Sequence, residues 1–422
     1  MKPESEPPAM TTSSQSLPLG SLDLTRRQFL ARTGTAAAGF TILAPHLVRG
    51  AEANSKLDVG VIGCGGRGAW IADLFAKSGK FNVVAAMDYF QDRTDTVAKK
   101  HNIAAENCFN GLSGYKRLLE RKLDAVAIET PPYFHPEQVK AAVDAGKHVY
   151  LAKPPAVDVP GCRSIGADGQ RATEKKLAFV VDFQTRAHPA YQEVLKRVHD
   201  DGIGKLVTVY AEYQTNLMFE QRDAQVRKDP QNPEVRLRAW GIDRVLSGDV
   251  ITEQNIHALD VATWFVNADP IKAIGTGGRA RPFLGDCWDH YSVLFEFPND
   301  LTVTFTAKQV GYGYDDIMVR AHGMTGTAET HYSGKVWLRS REDAFNGDTA
   351  SLYVKGPEAN IVAFYDAITK GDFSNPTVAP SVRSNLTTIL GRTAAYKKAE
   401  VTWAEMLKAN EKWEADLKGL KT

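Results

Sequence analysis

Cysteine is sparse and unpatterned in this chain: Cys64, Cys108, Cys162 and Cys287 show no C-x-x-C spacing. That excludes a disulfide framework and a zinc ribbon, and three of the four fall in apolar text where a thiol packs as a small hydrophobe. An excess of charge of either sign is also missing. Beyond residue 53, 46 basic and 46 acidic side chains remain, so the chain offers no general field for nucleic acid or an anionic membrane. No internal repeat occurs, and low complexity is confined to the Pro/Ser-rich start, which is expected to be unstructured. Long hydrophobic runs are absent too. The best of them, GTAAAGFTILAPHLV, is rich in Ala and Gly and broken by Pro45, so no stable membrane anchor is expected.

That weak run is preceded by LTRRQFLARTG (24–34) and followed by AEA at 51–53. Adjacent arginines, a mildly apolar stretch and an A-x-A site together read as a twin-arginine leader, so residues 1–53 are assigned to a signal peptide and disordered N-terminus. The expectation is export by the twin-arginine machinery to the periplasm. Because that route carries folded proteins, a cofactor would have to be acquired before export. Roughly 370 residues remain, enough for two domains.

From residue 57 short apolar runs alternate with helical ones: LDVGVIG, GAWIADLFAKSG, FNVVAAMD, DAVAIET, PEQVKAAVDAG, KHVYLAK, a helix near 160–175, and LAFVVDFQ. Continuous apolar strands separated by helices predict a doubly wound parallel sheet over residues 54–185. The texture then changes to long alternating strands such as KLVTVYAEYQTN, HYSVLFEFPND and LTVTFTAKQVGYG, with few helices between them. Alternation predicts a second α+β domain, 186–422, with a large, mostly antiparallel open sheet and terminal helices that can pack back on the first.

GCGGRG (63–68) places Gly63, Gly65 and Gly68 in G-x-G-x-x-G spacing between a strand and a helix, with Asp88 closing the next strand. This context identifies a dinucleotide loop: free amides at the helix N-terminus, including Gly66 and Arg67, would receive the diphosphate. Asp88 would accept the adenosine ribose hydroxyls and repel a phosphate. NAD is therefore favoured over NADP, although Arg67 and Arg93 lie in the same region. A second unusual stretch is GKHVYLAKPPAV, where Lys153 ends an apolar strand before a rigid Pro pair and should point at the cofactor crevice. The third is SGDVITEQNIHALDVATWF, predicted as one mostly buried helix with Asp249 near its N-cap. At about 100° per residue Glu253, His257 and Asp260 share a narrow face, so a carboxylate stands beside an imidazole, an arrangement that orients and raises a general base. No metal site is assigned, since the dinucleotide already supplies an electron acceptor.

The GCGGRG loop, AKP after the fifth strand and EQNIHALD, together with TPPYFHPEQVKAAVDAGKHVYLAKP, SNLTTILGRTAAY and VTWAEML, resemble the Gfo/Idh/MocA family across roughly residues 56–407. The resemblance implies a Rossmann domain joined to a domain built on a large antiparallel sheet, and oxidation of a secondary alcohol of a sugar or cyclitol. It matches Lys153 to the lysine of the family's Glu-Lys-Pro motif, with Ala152 in place of the glutamate. It matches His257 to the histidine of an Asp-x-x-x-H motif, with Glu253 in place of the aspartate. It also implies that Thr130, Pro131 and His135 line the nicotinamide side. The expected mechanism has His257 taking the hydroxyl proton, Lys153 steadying the reacting oxygen, and Glu253 orienting the imidazole, with turnover rising as the imidazole loses its proton near neutrality. Arg186, Trp240, Asp260, Asp289 and His290 are candidate substrate contacts. An NAD-dependent glycoside hydrolase and a non-catalytic sugar- or NAD-binding protein are the alternatives; a homo-oligomer acting on a small carbohydrate is expected.

Overall fold

Six short apolar strands build the first sheet: β1 (Leu57–Ile62), β2 (Phe81–Asp88), β3 (Cys108–Asn110), β4 (Ala125–Ile128), β5 (His148–Ala152) and β6 (Phe179–Asp182). They pair in the order β3-β2-β1-β4-β5-β6, all parallel. This computed structural model describes residues 56–216, 219–281 and 285–422, so the leader sequence lies outside the described residues. The strands are buried on both faces, as parallel sheets require, by separate apolar clusters; Val126, Ile128 and Leu151 belong to one, and Val59, Val61 and Tyr150 to the other. Cys64, Cys162 and Cys287 are buried and Cys108 is partly exposed, all as free thiols.

The second sheet has nine strands: β7 (Leu206–Thr215), β8 (Lys272–Gly278), β9 (His290–Phe297), β10 (Leu301–Gln309), β11 (Asp316–Gly323), β12 (Gly326–His331), β13 (Lys335–Ser340), β14 (Ala344–Asp348) and β15 (Val401–Thr402). Their order is β14-β13-β12-β11-β7-β10-β9-β8-β15. Every pairing is antiparallel except β7 with β10. Alternation decides the buried face: in β9 Tyr291, Val293, Phe295 and Phe297 are buried while Ser292 and Leu294 face outward. The buried face packs on the helices Pro189–His199, Ile256–Val266 and Val378–Lys397. The helix Leu352–Lys370 returns to the first sheet, where Ile361 and Phe364 join the cluster containing Phe75 and Phe81.

Two local expectations fail. Between β7 and β8 the chain is helical rather than helix-poor, with short helices at Glu220–Lys228, Pro233–Arg238, Arg244–Ser247 and Asp249–Glu253. Their text is too polar and too short for periodicity to show; capping holds two of them, since Asn232 accepts from the amides of Glu234 and Val235, and Asp243 from those of Val245 and Leu246. The single helix expected across Glu253, His257 and Asp260 is broken at Gln254–Asn255. The carbonyl of Glu253 accepts from the Lys153 ammonium at 2.5 Å, and the His257 amide, which would claim that carbonyl in a continuous helix, turns to the Gln254 carbonyl at 3.3 Å.

Candidate active site

The glycine loop is shaped by contacts that a side chain would destroy. Gly63 has φ +97°, and a Cβ there would lie 2.6 Å from the Glu129 carbonyl carbon; a Cβ on Gly68 would lie 1.7 Å from the Gly63 oxygen. Gly66 faces open space, and the helix Gly66–Lys77 starts with no side-chain cap and no acidic residue in its first turn. A cradle of uncapped amides against open space fits a diphosphate. A cleft adjoins it, bounded by Gly63, Gly65, Asp88, Thr130, Pro131 and Trp240.

Asp88 ends β2 in this cleft, already engaged: its Oδ2 accepts the Cys64 amide at 2.8 Å and its Oδ1 the Phe90 amide at 2.9 Å. Burial pushes its carboxyl above the ordinary value, against those hydrogen bonds and the Arg93 guanidinium at 4.0 Å. Arg67 is drawn away from a diphosphate role, because its side chain spans to Asp182 and, at 3.4 Å, to Glu129; its backbone stays in the cradle. Thr130 donates to Gln138 at 2.6 Å, and the buried His135 ring sits between the carbonyls of Thr130 (2.8 Å) and Pro154 (2.9 Å). His135 thereby ties the loop after β4 to the loop after β5. Burial lowers its pKa to about 4, so the neutral ring donates one hydrogen bond.

Lys153 stands one residue beyond β5 and is almost fully buried. Its ammonium donates to both the carbonyl (2.5 Å) and Oε1 (3.2 Å) of Glu253. Burial lowers its pKa and the Glu253 charge opposes that. Glu253 is therefore committed to Lys153 and, through Oε2, accepts from the side-chain Nε2 of Gln254, so it does not orient His257 as the helical face suggested. His257 Nδ1 is buried without a hydrogen-bond partner, and the ring packs edge-on against Tyr332 at 5.4 Å. Burial, then the charges of Lys153 and Arg67, hold its pKa well below the ordinary value. The imidazole is thereby held in its neutral form.

The remaining candidates separate. Asp260 is fully buried and clamped by Arg186 (2.8–3.1 Å) and the Ser384 hydroxyl (2.6 Å). Asp289 accepts the amides of Ala280 and Arg281 at 2.9 Å and the His290 ring at 2.8 Å, which ties residues 280 and 281 to the start of β9; His290 is half-exposed. Trp240 borders the dinucleotide cleft, with Leu237, rather than the Lys153–His257 region. Glu129 and Asp182 were not singled out in the sequence. They read as ordinary strand ends, and only the fold brings them onto Arg67. Among the described residues no group of three or more His, Cys, Asp or Glu could hold a metal, and no helix is long and apolar enough to cross a membrane.

Residues 57–183 match the family model for the oxidoreductase NAD-binding Rossmann fold, and residues 191–329 match the Gfo/Idh/MocA C-terminal domain. The chain belongs to the Gfo/Idh/MocA oxidoreductases. Inositol 2-dehydrogenase of Azotobacter vinelandii is 27% identical over 331 residues, 76% of this chain and 88% of that one. The aldose-aldose oxidoreductase of Caulobacter crescentus superposes with a TM-score of 0.67 at 19% identity, covering 82% of this chain and 100% of the other. A levoglucosan dehydrogenase bound to NADH and levoglucosan gives 0.68 at 18% identity, over 82% and 99%. The protein is thus an NAD-binding oxidoreductase related to inositol dehydrogenases.

Two outcomes follow from this geometry. Lys153→Met should lower turnover on the order of 10²- to 10³-fold while leaving melting and nucleotide content unchanged; survival within a few-fold would make Lys153 structural. An unfolded histidine takes a proton near 6.5, whereas folded His257 resists it. The unfolded state binds more protons below that pH, so stability should fall by about 1.4 kcal/mol per pH unit for each such histidine. His135 adds slope down to about 4. Denaturant titrations should show His257→Asn reducing the slope between pH 6.5 and 4 without abolishing it; an unchanged slope would mean that His257 titrates normally.

Proposed function

We propose that the protein oxidises a secondary alcohol of a sugar or cyclitol with a resident NAD. The observation that carries this reading is a buried ammonium, Lys153, one residue past the carboxyl end of a parallel strand, whose charge bears on a buried, neutral imidazole, His257, in a domain whose glycine loop lines the dinucleotide cleft. When bound, the nicotinamide supplies the hydride acceptor. His257 accepts the hydroxyl proton because burial and the neighbouring cations keep its ring unprotonated, and Lys153 donates a hydrogen bond to the oxygen as negative charge develops. Asp88 favours NAD over NADP by facing the ribose with a carboxylate. The names of the relatives, an inositol dehydrogenase, a levoglucosan dehydrogenase and an aldose-aldose oxidoreductase, agree with a polyhydroxylated substrate.

The reading extends to export. A twin-arginine leader implies folding around the nucleotide in the cytoplasm and work in the periplasm, where free NAD is scarce, so the cofactor stays bound and hydride is returned within the same site. A cover over the cleft supports retention. Leu237 and Trp240 close it from the second half, and Arg238 reaches back to both oxygens of Asp92 (2.8 and 2.9 Å) and over the Phe90 ring at 3.9 Å. Outside that cover runs a C-terminal strap. Ala415, Leu417 and Leu420 pack on Phe90, Leu237 and Leu246, the Lys421 amide donates to Tyr89 Oη at 3.0 Å, and the Leu112 amide donates to the Lys421 carbonyl at 2.9 Å.

Protein purified without added nucleotide should release close to one NAD per chain on denaturation and turn over repeatedly without free NAD. Stoichiometric NADH release with activity proportional to added NAD would overturn the retained-cofactor reading. Removing residues 412–422 should speed nucleotide loss on dilution at least about tenfold, the effect of about 1.4 kcal/mol. Asp88→Ala should weaken NAD more than NADP; equal losses, measured by calorimetry, would assign Asp88 to holding the loop alone.

A further inference from the structure

The strap that covers the dinucleotide cleft is anchored upstream of the cover, at Trp413. Its half-buried ring stacks on the guanidinium of Arg392 at 3.6 Å, on the helix Val378–Lys397. Arg392 is 2% exposed and donates from Nη1 to the Gly248 carbonyl at 2.7 Å. Burying a guanidinium forfeits hydration, and the indole face offsets part of that loss. The Trp413 amide donates to Asp158 Oδ2 at 2.8 Å, while Asp158 Oδ1 caps the helix Val159–Glu174 through the Gly161 amide at 2.7 Å. These two anchors belong to the two segments that hold the buried cation. Gly248, at φ +81°, precedes the helix Asp249–Glu253, which ends in the partner of Lys153. Asp158 closes the turn that Lys153 and its proline pair open. The segments touch, since a Cβ on Gly248 would lie 3.4 Å from Val157 Cα. The helix Val378–Lys397 backs both: Asn385 accepts the Ala156 amide at 2.8 Å, and the Thr388 and Thr252 hydroxyls meet at 3.0 Å.

We propose that Trp413 is a positioning residue for the Lys153–Glu253 pair: it clamps the turn after β5 to the start of the Glu253 helix, so one stretch of chain closes the dinucleotide cleft and holds the buried cation to its partner. A helix of five residues, Asp249–Glu253, makes too few internal hydrogen bonds to stand alone, so what it packs against sets its place. Its leading end is held by the Arg392 bond to Gly248. With the indole seated, Arg392 is dry and that bond has no competitor. Without the ring, water reaches the guanidinium and competes for its donors, and the Gly248 carbonyl is released. Movement at Gly248 then passes along the short helix to Glu253, whose carbonyl and Oε1 both accept from Lys153. The Asp158 contact keeps the same clamp closed from the other side, on the segment that carries Lys153 itself.

The functional weight of this clamp rests on Lys153 being the cation that serves the reaction, which the turnover of Lys153→Met tests by itself. The clamp is read without substrate, so the two failures are distinguishable. In the protein as purified, labelled with ¹⁵N-lysine, the Lys153 ammonium signal is identified by its loss in Lys153→Met, and the exchange of its protons with water is measured. Lys147, which donates to the carbonyls of Arg121 and Leu123 at 3.1 and 3.0 Å in the first domain, is the reference. Trp413→Leu should speed exchange at Lys153 at least about tenfold and leave Lys147 within about twofold. Trp413→Phe, which keeps a ring over Arg392, should stay within about threefold of the wild type at Lys153. The backbone amides of residues 250–257, followed by mass spectrometry, should exchange faster in Trp413→Leu, and those of β1 should not. Unchanged exchange at Lys153 in Trp413→Leu, equal acceleration at Lys147, or a Trp413→Phe variant no better than Trp413→Leu overturns the proposal.

Discussion

The ammonium of Lys153 is buried where the carboxyl ends of the parallel strands meet the second domain, and the chemistry of the junction is arranged around that charge. Dehydrating an ammonium is expensive, so it must be met by good acceptors. Glu253 meets it twice, with a carboxylate and with a main-chain carbonyl at 2.5 Å. The second contact sits at the break between two helices, where the His257 amide turns to the Gln254 carbonyl. Burial first, and then the charges of Lys153 and Arg67, keep His257 unprotonated.

Cofactor binding divides between the domains differently. The first sheet provides the cradle, and the cover comes from the second domain and the far end of the chain. The Arg238–Asp92 pair is exposed and worth little alone, about 0–1 kcal/mol. Apolar burial of Leu417 and Leu420 against Phe90 and Leu237 carries more of the closure. Polar contacts set the register of the strap and apolar ones hold it down.

Much of this was legible in the text. The strands from LDVGVIG to LAFVVDFQ follow from continuous apolar runs bounded by turns, and the glycine loop from steric needs that the structure repeats at Gly63 and Gly68. The place of Lys153, one residue past the end of β5, follows from an apolar strand closed by a proline pair. What escaped depends on partners far away in sequence. A helical face makes Glu253 and His257 neighbours, but whether the carboxylate turns to the imidazole or to Lys153 is decided by contacts a hundred residues apart. Asp260 looked available and is taken by Arg186, and Asp289 is spent on backbone amides. The short helices between β7 and β8 form through caps and docking, which hydrophobic periodicity does not register.

The central claim is that Glu253 serves Lys153 and that His257 is neutral because of its burial and that cation. An NMR titration of the His257 ring, in the wild type and in Glu253→Gln, tests it most directly. The account predicts a ring that stays neutral from pH 6 upward in both proteins, with no rise in its pKa in the variant. A ring that titrates at or above the ordinary imidazole value in the wild type, and drops by a unit or more in Glu253→Gln, would place the carboxylate on the histidine and contradict it.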